Sequence, residues 1–162
     1  QVYGAVVAQA RNPQFYIRFG FPDTVTGRFD VLCLHVFLLA NRLAGEGDTG
    51  ARRLSQAVFD RFAEDIDRAL REIGMGDTSV PKRKKKLRDG FYGQVADFAA
   101  PLGDGDAAGL TTAATARFGL AGGEAARVAR YMIAARDRLR AAPFARLRSA
   151  SFAFPDPADA ST

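Results

Sequence analysis

The chain has 162 residues, 48% apolar and 25% charged, with no tryptophan, one cysteine (Cys33) and a formal net charge of +5. That length fits one domain with a substantial core, and a lone cysteine excludes an internal disulfide and fits a reducing compartment. The longest apolar run, residues 31–40, is about half of the roughly 20 residues that span a bilayer, which excludes an integral membrane protein.

Residues 2–10, "VYGAVVAQA", predict a short helix that stops before Asn12-Pro13, because proline disfavours helix in the residue before it. Residues 13–23, "PQFYIRFGFPD", are aromatic-rich and broken by Gly20 and Pro22, and predict an irregular linker that lays its rings on the helices. A core helix follows over residues 26–44, with Asp23, Thr24 or Thr26 as cap. Phe29, Leu32, Val36, Leu39 and Leu43 line one face and Val31, Leu34, Phe37 and Leu38 another, so this helix is apolar nearly all round and central. "GEGDTG" (45–50) ends it.

The next helix, residues 51–73, carries a stripe of Val58, Phe62, Ile66, Ala69 and Ile73, with Asp60, Glu64, Asp67, Arg68 and Arg71 turned to water. Gly74 and Gly76 close it. Ser79 and Pro81 then open another helix, whose apolar face is Leu87, Phe91, Val95, Phe98 and Leu102. A loop is expected after Pro101, then a weak helix of small residues over 110–120. A strong helix spans 122–143, with Val128, Met132, Ala135 and Leu139 inside and Arg127, Arg130, Arg136, Arg138 and Arg140 outside. The tail, 143–162, has prolines and no helical period and is expected to be extended or frayed. No alternating strand pattern occurs. The expected fold is a single all-α domain over residues 1–142, an irregular bundle of about five to six helices without a β-sheet.

The inventory for catalysis is thin. The single histidine, His35, sits in the most apolar helix and reads as a buried, hydrogen-bonded residue. A nucleophilic or zinc site needs more Cys and His partners than this chain has, and no phosphate-binding glycine loop is present. "GMGD" (74–77) matches a short intramembrane-protease signature but lacks the transmembrane helices that chemistry requires; Asp77 reads as a turn-shaping residue. No enzyme activity, cofactor or metal is expected.

The charge is unevenly placed. Residues 82–90 carry +5 and residues 124–148 another +5. All four lysines, Lys82, Lys84, Lys85 and Lys86, lie with Arg83 and Arg88 in the first two turns of one helix. Positive charge there opposes the helix macrodipole and repels itself, so an external anion offsets a cost that a purely structural helix would carry. "PKRKKK" also has the form of a nuclear localisation signal, but the arginine- and alanine-rich remainder suits a bacterial chain better.

The order of "FY", "PDT", "GRFD…LH" and "MGDTSVPKRKKK" across residues 3–102 resembles the ubiquinol–cytochrome c chaperone family. The resemblance implies a non-enzymatic assembly factor of the cytochrome bc1 complex that binds nascent cytochrome b. It implies a peripheral position on the cytoplasmic face of the inner membrane, near the ribosome, and a small partner protein; no DNA partner is expected. Asp23, Arg28, His35 and Asp77 are then structural motif positions. Lys82, Arg83, Lys84, Lys85, Lys86 and Arg88 become the docking face for anionic headgroups or ribosomal RNA. Phe15, Tyr16, Phe19, Phe21, Phe91 and Tyr92 are the candidate client or partner surface. The competing expectation is a small basic helical RNA- or ribosome-binding module with no membrane client.

Overall fold

The computed structural model describes residues 1–72 and 80–159. Asp77, the glycine stop at 74–76 and Ser79 lie outside the described residues. Eight helices and no strand occur among the described residues: α1 (Val2–Ala10), α2 (Gln14–Ile17), α3 (Val25–Ala44), α4 (Thr49–Glu72), α5 (Val80–Asp104), α6 (Ala107–Phe118), α7 (Gly122–Ala141) and α8 (Phe144–Arg148). The all-α expectation holds, with more helices than expected because α2 and α8 are single short turns within stretches read as irregular.

α3 is the hub, packed on α1, α4, α5 and α7. Residues 33–39 are all buried, as its all-round apolar pattern requires. The Thr24 side chain caps it, accepting from the Gly27 N–H at 3.1 Å. Gly27 must lack a side chain, since a Cβ there would run into the Pro22 carbonyl oxygen. That close approach turns the aromatic segment back under the first turn of α3.

The aromatic segment enters the core. Phe15 and Phe19 are fully buried and Phe21 nearly so. Phe15 meets His35 and Tyr131 edge-on at 5.0 and 5.1 Å between ring centroids, a favoured aromatic geometry. Four of the six rings assigned to a client surface, Phe15, Phe19 and Phe21 together with Phe91 of α5, are buried in the core, and Tyr16, half-buried, donates its hydroxyl to the Ala10 carbonyl at 3.0 Å.

His35 is buried and fully bonded. Its Nδ1–H donates to the Val31 carbonyl at 2.7 Å, which leaves Nε2 to accept from the Tyr131 hydroxyl at 2.8 Å. Gln9 Nε2 donates to the Tyr131 oxygen at 3.0 Å and to the Pro155 carbonyl at 2.9 Å. One polar chain thus joins α3, α7, α1 and the C-terminal segment, and satisfied buried networks of this kind specify a single packing.

Burial lowers the His35 pKa from its usual range to about 4, while the backbone bond to Val31 pulls the other way. Asp30, half-buried on the same helix, is raised to about 6 by desolvation, with Arg117 opposing. The two act in opposite directions. Between about pH 6.5 and 4 the unfolded chain protonates its histidine and the folded chain does not, so His35 stabilisation fades as pH falls. Across pH 4–6 the folded chain holds the Asp30 proton more tightly, so Asp30 gains stability as pH falls. Wild type is expected to show a shallow net dependence from these two groups. Asp30→Asn should unmask the histidine and lose about 3 kcal/mol between pH 6.5 and 4. Urea midpoints at half-unit pH steps read the difference; a D30N profile as flat as wild type would contradict it.

Four other expectations are corrected. α5 runs through Pro101 to Asp104, held by Phe98 and Leu102, both fully buried. The loop predicted after Pro101 shrinks to two residues, and Asp106 caps α6 by accepting from the Gly109 N–H at 2.9 Å. Arg136 is turned inward, 12% exposed, with Nη1 donating to the Leu102 carbonyl at 2.5 Å. On α4, Ala69 is exposed and Asp67 half-buried, the reverse of their predicted faces. The C-terminal segment packs on the bundle: Leu147 and Phe154 are buried, Phe154 meets His35 edge-on at 5.1 Å, and the Ala153 carbonyl accepts from Arg138 Nε at 3.1 Å.

Candidate docking groove and basic helix face

α4 and α5 run antiparallel: Phe59 and Phe62 of α4 meet Phe91 of α5 at 5.3 and 5.9 Å, and Asp67, further along α4, pairs with Lys84, further back along α5. Phe59 and Phe91 of this seam line one side of an open groove of about 500 Å³ between α3, α4 and α5. Val36, Leu39, Leu43 and Val58 form its floor, and Arg52, Ser55 and Gln56 its polar lip. Phe91 is buried in the wall, while Tyr92 is 56% exposed beside it, its ring 6.3 Å from Phe59. Of the rings assigned to a client surface, Phe91 and Tyr92 line this groove. The floor from α3 was legible as an apolar face; that it is left partly uncovered depends on how α4 and α5 splay, which sequence periodicity does not report.

The cationic face lies on the same helix. Lys82, Arg83, Lys84, Lys85, Lys86 and Arg88 are all exposed in the first turns described for α5. Lys84 differs from the rest: its Nζ pairs with Asp67, whose other carboxylate oxygen, Oδ1, is enclosed without a partner. Lys82, Arg83, Lys85, Lys86 and Arg88 form no ion pair with another described residue. Asp23 and Arg28 pair with each other at 2.7 Å at the surface, and Arg28 lies over the Tyr16 ring. These two motif residues brace the entry to α3 and stand apart from the groove.

Among the described residues neither His35 nor Cys33 is placed to serve as a base or a nucleophile. His35 has both ring nitrogens engaged in the core. Cys33 is buried, and desolvation raises its thiol pKa, which disfavours the reactive thiolate. Among the described residues no group of three metal-ligating side chains comes together, and no helix is long and apolar enough to cross a membrane. The groove offers apolar contact with a polar lip, which suits binding of apolar side chains.

The described residues thus form an all-α bundle with an open apolar groove beside a lysine-rich helix face. The chain belongs to the ubiquinol–cytochrome c chaperone family, whose pattern it matches over residues 18–154. It is 24% identical over 95 residues to the mouse ubiquinol–cytochrome c reductase complex assembly factor 1. That match takes in 59% of this chain but only 32% of the mouse protein. The crystal structure of the Cbp3 homolog from Brucella abortus superposes with a TM-score of 0.87 at 38% identity, covering 97% of this chain and 88% of that one. The match past residue 105 brings α6, α7 and the C-terminal segment into the family fold, beyond the stretch whose motifs carried the resemblance.

Proposed function

We propose that this chain is a non-enzymatic assembly chaperone of the cytochrome bc1 complex. It holds an apolar segment of newly made cytochrome b in the α3–α4–α5 groove, while the basic start of α5 keeps it at the anionic cytoplasmic surface of the inner membrane. The observation that carries this reading is the placement of both features on one helix: Lys85 and Tyr92 are seven residues, about two turns, apart on α5. Family membership and the mouse relative's named role in assembling this complex support it. Lysine suits the surface contact, being a compact hydrated charge on a flexible stem that needs no fixed geometry. Ribosomal RNA offers the same phosphate chemistry, and a small partner protein fits the family reading.

Ser55, half-exposed at the groove lip, gives a direct test. Ser55→Trp should fill the groove without disturbing the core. Pull-down from membranes of cells expressing the variant should recover at least tenfold less cytochrome b than wild type, with an unchanged melting temperature. Equal recovery would place the client elsewhere. Salt-sensitive RNA binding with normal bc1 levels in a deletion strain would favour the RNA-binding module instead.

A further inference from the structure

The ion pair between Lys84 and Asp67 links the two features just described. It is the ion pair that joins α4 to α5 among the described residues; the others on these helices lie within α4 or tie α5 to α6. Beyond it, those helices meet through the aromatic seam of Phe59, Phe62 and Phe91, of which Phe59 and Phe91 line the groove. Lys84 is also one of the clustered cations, with five other basic residues from position 82 to 88 that have no acidic partner among the described residues.

We propose that Lys84–Asp67 is a latch that couples docking of the α5 basic face on an anionic lipid surface to opening of the groove. The inference rests on the docking role given above. At a negative surface Lys84 has a second set of counter-charges, beside those already drawing its neighbours. When it leaves, Asp67 keeps one oxygen enclosed without a partner, and a half-buried carboxylate without its cation is unfavourable. The seam loosens around it, and Phe59 and Phe91 separate more readily. Linkage makes the effect reciprocal: a client that wedges α4 from α5 frees Lys84 for the surface, so a loaded chaperone holds the membrane more tightly than an empty one. The basic cluster thereby reports occupancy of the groove as well as anchoring the protein.

The test uses Asp67→Asn, with Glu64→Gln as a control that removes the same charge from an exposed α4 position paired to Arg61. Binding to phosphatidylglycerol vesicles and to phosphatidylcholine vesicles is measured by co-sedimentation, and hydrogen exchange is followed across residues 58–62 and 88–95. Wild type is expected to exchange faster in both segments on phosphatidylglycerol and not on phosphatidylcholine. D67N should show the faster exchange without vesicles and bind phosphatidylglycerol about fivefold more tightly, the effect of one freed lysine. E64Q should behave as wild type. Binding by wild type with no change in exchange would overturn the latch and leave docking intact. Failure of wild type to bind phosphatidylglycerol would overturn docking and the latch with it. An equal gain in E64Q would reduce the effect to net charge and also overturn the latch.

Discussion

Phe15→Ala is expected to lower the unfolding free energy by about 3–5 kcal/mol, the range for removing a large ring from a packed core. The ring is wholly buried against Phe19, His35 and Tyr131, so its loss opens a cavity at the meeting point of α2, α3 and α7. Marginal native stability makes this a large share of the total. The denaturant midpoint should fall by more than 1 M urea with little change in slope. The same substitution separates core from client surface. If F15A keeps wild-type stability but loses client capture, the aromatic segment serves a partner after all. Tyr92→Ala should give the opposite pattern, since that ring is more than half exposed.

The second large effect concerns the three lysines left without acidic partners. Replacing Lys82, Lys85 and Lys86 together with glutamine should weaken binding to anionic vesicles about 100-fold at low ionic strength. The loss should shrink as salt screens the wild type. Stability should hold or rise slightly, because three like charges leave the positive end of a helix. Lys84 is excluded from this set because of Asp67; adding Lys84→Gln should lower the melting temperature by a few degrees. Vesicle sedimentation beside thermal melts reads both outcomes. A triple variant that sediments like wild type would reduce the basic start of α5 to a solvated face.

Lys84 also shows where periodicity stops informing. The sequence marks the lysine cluster and the polar face of α4 separately, but pairing one with the other needs the antiparallel register of α4 on α5. The same limit applies to the aromatic segment. A run of phenylalanines between breakers declares that rings will be buried, and whether they enter their own core or a partner's depends on where Pro22 turns the chain. The all-round apolar pattern of α3 left no such freedom, and its ends fell within a residue of expectation. Pro101 misled for a different reason. Its missing N–H forfeits one hydrogen bond, but Phe98 and Leu102 on either side are anchored in the core, and packing outweighed the local preference. In the C-terminal segment, prolines concealed residues that are buried because of what they touch, Phe154 against His35 above all.

The bond from Gln9 to the Pro155 carbonyl spans 146 positions of the chain. During synthesis Gln9 gains its full set of partners only after Tyr131 and Pro155 have both left the exit tunnel. Until then Phe15, His35 and Tyr131 face an unfinished bundle. The core that joins α1, α3 and α7 is therefore completed only after α7 and the segment that carries Phe154 and Pro155 have been made.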